Sequence, residues 1–171
     1  LAGYRTRRYH ALLLTSRRPP TDRVVLVNGI EAWVDAAGSR FPLSTQHYAP
    51  DVIHPRGMDH LADFTPEPWP TWTFDGPDGL GIRQELLVDR ASGDVLLTWR
   101  LLRNARAAQL HVRPLVSGRD YHALMRENGP FNFAARANGG NVTWRPYAAQ
   151  PPIAALTNGT YTHEPLWYRN F

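Results

Sequence analysis

The residues best suited to chemistry lie in the stretch Arg5 to Leu14, RTRRYHALLL, where arginines and aromatic rings run straight into an apolar segment. Guanidinium groups offer planar, paired donors that can hold vicinal hydroxyls or a carboxylate. In an extended chain, alternation puts Arg7 and Tyr9 on one face and Arg8 and His10 on the other. The same side chains would serve equally well as a salt-bridged lock inside a β scaffold. Three further clusters carry the same kind of chemistry: HPRG (His54 to Gly57), WPTWTF (Trp69 to Phe74) and RDYH (Arg119 to His122). Of these residues, Arg7, Arg8, Tyr9 and His10, together with Trp69, are the ones whose chemistry suits a carbohydrate. Trp69 and Trp72 could form a sugar platform, although a Trp in a strand is more often core. Trp69, between Pro68 and Pro70, is the better exposed candidate, and Trp99 reads as core.

No catalytic centre stands out. A glycosidase needs two carboxylates across the scissile bond. Of the 15 Asp and Glu residues, only Asp59 with Asp63, or Asp51 with Asp59, could converge, and both pairs read equally as solvated loop acids. His54, Asp59 and His60 form the densest group of possible metal ligands, but without a zinc-type spacing. His54, next to Pro55, reads instead as a loop-fixing hydrogen-bonding residue. There is no GxSxG elbow and no phosphate-cradling glycine loop. No catalytic residue, metal or cofactor is expected of this chain.

The bulk composition excludes more than it selects. With 171 residues, 43% hydrophobic and 11% aromatic, the chain can bury a sizeable core. No apolar run approaches membrane-spanning length, so no membrane partner is expected. The absence of Cys removes disulfides and thiolate chemistry. It is compatible with a reducing compartment, and the cytoplasm is the expected location. All 19 basic residues are Arg. That could mark a surface for anionic or ring-shaped ligands, or simply codon usage. The net charge of +4 is modest and the arginines are scattered along the chain, whereas nucleic-acid binding needs them on one face.

The pattern predicts an all-β fold. Expected strands are Tyr9–Thr15, Arg23–Asn28 and Ile30–Asp35 as a hairpin about Gly29, Thr71–Asp75, Gly81–Arg90, Asp94–Leu102, Gln109–Ser117, Phe131–Ala137 and Asn141–Tyr147, with a last pair about Asn158-Gly159. Within Asp94–Leu102, Val95, Leu97, Trp99 and Leu101 share one face, against Thr98 and Arg100. The Pro-rich segment Pro42–Pro70 reads as a long irregular excursion. Asp120–Glu127 is the one helical candidate, with Asp120 as its cap. Together these predict a single antiparallel β-sandwich over 1–171.

RTRRYHALLL resembles the TRRYHGLL signature of bacterial and archaeal glycogen-debranching enzymes of the amylo-α-1,6-glucosidase type, with Ala11 where that pattern has Gly. HPRG, PWPTWTF (Pro68 to Phe74), RPLVSGRDYHALM (Arg113 to Met125) and WYRNF (Trp167 to Phe171) follow in the family's order. The resemblance implies an N-terminal β-sandwich of the supersandwich kind, an incomplete part of a larger glycosidase. It would sit ahead of a C-terminal α/α-barrel that supplies the catalytic carboxylates, with α-glucan (glycogen or limit dextrin) as substrate. On that reading the chain is a non-catalytic accessory domain whose loops border the active site, and the resemblance implies Arg7, Arg8, Tyr9, His10, His54, Arg56, Arg119, Tyr121 and His122, with Trp69, as its candidate substrate-binding residues. Alternatives are a free-standing carbohydrate-binding sandwich and, more weakly, an Arg-rich nucleic-acid-binding domain.

Overall fold

A computed structural model describes residues 7–36, 38–103 and 107–170. Among them the chain is all-β, with antiparallel sheets, two short 3₁₀ turns (Gly57–His60 and Pro77–Gly79) and no α-helix. The strands are β1 (Leu13–Arg18), β2 (Thr21–Ala36), β3 (Ser39–Pro42), β4 (Thr45–Tyr48), β5 (Val52–Arg56), β6 (Leu61–Thr65), β7 (Thr71–Asp75), β8 (Gly81–Val88), β9 (Val95–Arg103), β10 (Ala108–Asp120), β11 (Ala135–Asn138), β12 (Asn141–Trp144) and β13 (Ile153–Leu156). The chain forms two compact units, Gly29–Pro114 and Arg7–Asn28 with Leu115–Phe171.

In the first unit, β6, β7, β8 and β9 form a meander in sequence order. Their alternation sends Trp72, Phe74, Ile82 and Gln84 inward. Trp72, Phe74 and Ile82 join Ala32, Val34, Phe41, Leu43 and Leu80 in one core, and Trp99 packs on its edge. The β8–β9 connection turns where composition places it. The Asp89 carboxylate accepts the Ala91 N–H at 2.9 Å, and Gly93 takes φ +79°, a left-handed conformation that favours glycine. The alternation expected of β9 holds at Val95, Leu97 and Trp99. It ends at Leu101, which is 44% exposed beside the irregular pairing at Gly81/Ile82.

In the second unit, β1 pairs with the first part of β2, Leu13 opposite Val27 through Arg18 opposite Thr21. Val24 to Val27 are consecutively buried, as in strands covered on both faces. Val24, Leu26, Val27 and Ile153 form its core cluster. β11, β12 and β13 make a separate three-stranded sheet.

Several expectations fail for identifiable reasons. Gly29 does not turn: β2 runs through it for 16 residues. The reversal falls at Pro19-Pro20, which lack the N–H a ladder needs. The Pro42–Pro70 segment is not irregular, since it holds β4, β5 and β6. Its prolines sit at strand ends, in connections, or at Pro55 in a two-stranded sheet, where a missing donor is tolerated. The strand expected from Tyr9 begins only at Leu13, and that expected from Phe131 only at Ala135. Of the pair about Asn158-Gly159, only the first arm, β13, is present among the described residues. The helix at Asp120–Glu127 is absent. β10 runs to Asp120, whose carboxylate instead accepts the His122 N–H at 2.7 Å in a tight turn.

Candidate functional site

The two Tyr-His motifs come together in the second unit. Arg7–His10 is a turn rather than a strand end, closed by the His10 N–H donating to the Arg7 carbonyl at 3.0 Å. The alternating-face argument for these four residues therefore does not apply. Arg119 stands at the end of β10, buried, and its guanidinium acts as the organiser. It donates to Asn28 Oδ1 at 3.2 Å and to the carbonyls of Asp120, Tyr121 and Ala123 at 3.3, 3.4 and 3.0 Å. It also donates to the Arg8 carbonyl, which ties the two motifs directly. These carbonyls are the ones a helix after Asp120 would have used, so the guanidinium takes the place of helical pairing. Burial, and secondarily the charge on Arg8, lower the Arg119 pKa, while the Asp120 carboxylate opposes this. A cation of this kind is solvated by protein oxygens in place of water.

The lock leaves a partly exposed set of polar groups around it. Arg8 Nη1 donates to the His122 carbonyl at 3.0 Å. The Tyr9 hydroxyl shares a hydrogen bond with His122 Nδ1 at 3.4 Å, and Tyr9 is 46% exposed. The Tyr9 and Tyr121 rings pack at 4.8 Å between centroids, and His122 meets both edge-on. Arg23 lies 5.8 Å from the Tyr121 ring centroid. A hydroxyl, an imidazole and a guanidinium on rigid neighbouring turns can together address several hydroxyls of a sugar. Arg7 is exposed and His10 half-buried at the two ends of the turn. Arg5 lies outside the described residues.

The other predicted residues belong to the first unit. His54 is exposed on β5, and among the described residues its ring takes no hydrogen bond, contrary to the loop-fixing role expected of it. Arg56 grips the Asp59 carboxylate in a two-pronged contact at 2.7 and 3.1 Å. Trp72 is 5% exposed and is a core residue, so it cannot serve as a sugar platform. Trp69 remains 40% exposed, with its indole N–H donating to Glu85 Oε1 at 3.3 Å and the Thr98 hydroxyl donating to Glu85 Oε2 at 3.1 Å. The Trp69 bond, above all, lowers the Glu85 pKa; the Thr98 bond helps and partial burial opposes. A carboxylate whose folded pKa is depressed adds stability above its unfolded value of about 4.3 and loses it as pH falls through the lower folded value. Glu85→Gln should therefore flatten the acid limb of the stability–pH curve below about pH 4. Thermal melts of both proteins across that window measure it.

The carboxylates proposed to converge are each occupied locally. Asp51 meets His47 Nε2 at 2.7 Å, Asp59 meets Arg56, and Asp63 lies 3.5 Å from the Thr65 hydroxyl. Among the described residues no three His, Asp or Glu side chains gather as metal ligands. No helix among them is long and apolar enough to cross a membrane. Among the described residues six of the arginines pair with acids: Arg56 on Asp59, Arg17 on Asp22, Arg40 on Asp35, Arg103 on Asp75, Arg113 on Glu31 and Arg169 on Glu127. That use weakens any reading of them as a nucleic-acid face.

Sequence reasoning missed two features. Trp33 stacks on His111 at 5.0 Å and 5°, with the Arg40 and Arg113 guanidinium carbons 4.9 and 5.2 Å from its ring centroid. His111 Nε2 also lies 3.2 Å from Asp35 Oδ2, without the alignment of a hydrogen bond. Nothing local marks this stack, because its members come from strands far apart in sequence. The pairing of the two Tyr-His turns did leave a signal: Arg7–His10 and Arg119–His122 both read Arg-x-Tyr-His.

The class defined by fold and site is an all-β module that gathers Arg, Tyr and His side chains on locked turns. The model of the family described as glycogen debranching enzyme, N terminal, matches residues 1–171, and the chain belongs to that family. Neither the curated proteins nor the solved structures contain a match.

Proposed function

We propose that this chain is the accessory N-terminal domain of an enzyme that hydrolyses α-1,6-glucosidic branch linkages in glycogen catabolism. The family match over the whole chain carries the reading. The Arg119-locked cluster supports it, because it places residues of two family-like motifs side by side. Hydrolysis of such a linkage passes through an oxocarbenium-like transition state served by an acid and a second carboxylate. On this proposal a C-terminal α/α-barrel supplies that pair, and this chain supplies shape and hydroxyl-binding groups at its border. The Tyr9 hydroxyl, His122 and Arg8 hold the glucan; Arg119 positions them and does not touch it. The exposed side chains of Leu124, Leu156 and Leu166 favour a partner surface that covers them. The cytoplasm, where glycogen would be met, is the proposed location.

The expected result is that the 171-residue chain alone releases no glucose from branched limit dextrin. In the protein joined to its barrel, the double change Tyr9→Ala and His122→Ala should raise KM about tenfold, in line with the loss of one or two hydrogen bonds near a charged group. Turnover by this chain unaided, lost on changing one of its own acids, would overturn the proposal.

A further inference from the structure

The outward face of the β6–β9 sheet in the first unit arranges its residues in rows. Thr71, Glu85 and Thr98 are directly opposite one another across β7, β8 and β9, and Thr73, Arg83 and Arg100 form the next row. Their inward neighbours Trp72, Phe74, Ile82 and Gln84 are buried, so alternation turns both rows outward. On the other side of the Glu85 row, Leu87 and Leu96 are paired and 43% and 48% exposed. The Leu86 N–H donates to the Pro70 carbonyl at 3.0 Å, which continues the pairing past Thr71. Trp69 thereby falls on the same face as Thr71, and its bond to Glu85 holds the indole there.

We infer that this face is a surface subsite for a neutral oligosaccharide, with the Trp69 ring as its platform. Three observations single out the ligand. A half-exposed indole, fixed by its own N–H, presents a π surface suited to the C–H face of a pyranose. The next row offers hydroxyls and a carboxylate, and beyond it lie two guanidiniums, so acceptors and donors alternate as a polyol requires. Thr98 and Arg100 are exposed in adjacent rows, so a hydroxyl and a guanidinium face solvent beside Glu85. The mixed charge disfavours a polyanion, since Glu85 would repel phosphates that Arg83 and Arg100 attract. Taking the sugar to be an α-1,4-linked glucan rests on the family reading, whereas the platform itself does not.

The test is titration of the 171-residue chain with maltoheptaose, with cellohexaose and oligo(dT) as comparison probes, following tryptophan fluorescence and calorimetric heat. Saturable maltoheptaose binding, weakened about tenfold in Trp69→Ala, is expected. Glu85→Gln preserves the shape of the carboxylate and should weaken binding about threefold to tenfold. It keeps the inference testable if Trp69→Ala fails to fold. Wild-type affinity in both folded variants, no saturable sugar binding by the wild type, or tighter binding of oligo(dT) would each overturn the subsite. Binding of cellohexaose in place of maltoheptaose would leave the platform standing and sink the glucan assignment. The KM effect of the Tyr9→Ala, His122→Ala variant in the protein joined to its barrel tests the border cluster separately, so failure of that reading and failure of this subsite are told apart.

Discussion

Arg119→Met should cost the fold about 3 kcal/mol or more, the sum expected when a buried guanidinium is withdrawn from several acceptors at once. Methionine fills much of the arginine stem, so the loss would report the guanidinium and not a cavity. What remains is a set of carbonyls, those of Arg8, Asp120, Tyr121 and Ala123, with the Asn28 side chain, deprived of one shared donor. Arg119→Lys should recover only part of the loss, since a single ammonium cannot reach acceptors arrayed around a planar fork. Urea denaturation should show the midpoint falling at constant slope. Hydrogen exchange should quicken at the His10 N–H, which closes the first turn, and at the Ala123 N–H, which donates to the Asp120 carbonyl. A wild-type midpoint for Arg119→Met would show that the turns hold each other without the guanidinium, and the cluster would need another organiser.

Gly57→Ala is the second large effect, and it assigns a structural task to the last residue of HPRG. A Cβ built on Gly57 would lie 2.5 Å from the Leu43 carbonyl carbon and 2.6 Å from the Ser44 nitrogen. Both are backbone atoms in a buried stretch, where Leu43 is 2% and Ser44 4% exposed, so no flexible side chain can yield. The Gly57 N–H also donates to the Ser44 carbonyl at 2.9 Å, and the Thr45 hydroxyl accepts the Met58 N–H at 2.8 Å. The 3₁₀ turn is thus pressed against the strand entry by direct backbone contact. One methyl group there should cost about 3 kcal/mol, at the upper end of overpacking effects, and should lower the thermal midpoint by several degrees. If Gly57→Ala melts with the wild type, the turn is free to shift and HPRG must be explained by its exposed side chains.

The strand-and-turn grammar was legible because its causes are local. Val95, Leu97 and Trp99 alternate as a half-buried strand must, and Gly93 and Asp89 mark the turn before them. The errors share a different origin. Gly29 can turn or stay extended with equal ease, and it is kept extended as part of one continuous 16-residue strand. Asp120 can cap a helix or a tight turn, and the guanidinium one residue earlier decides which. The prolines of Pro42–Pro70 read as breakers in isolation, yet each occupies a place where no ladder donor is required.

Read as a string, these residues dictated β structure, most of its turns, and which side chains could meet a ligand. They could not dictate which of those side chains meet. The Arg8 carbonyl and the Arg119 guanidinium are 111 positions apart, and their bond exists because β1, β2 and β10 bring the two turns together. Packing against Ala32, Val34 and Phe41 buries Trp72 while Trp69 stays at the surface, although the two lie three residues apart. Periodicity and turn chemistry act over a few residues, whereas burial and the sharing of one donor among distant acceptors follow only from the folded arrangement.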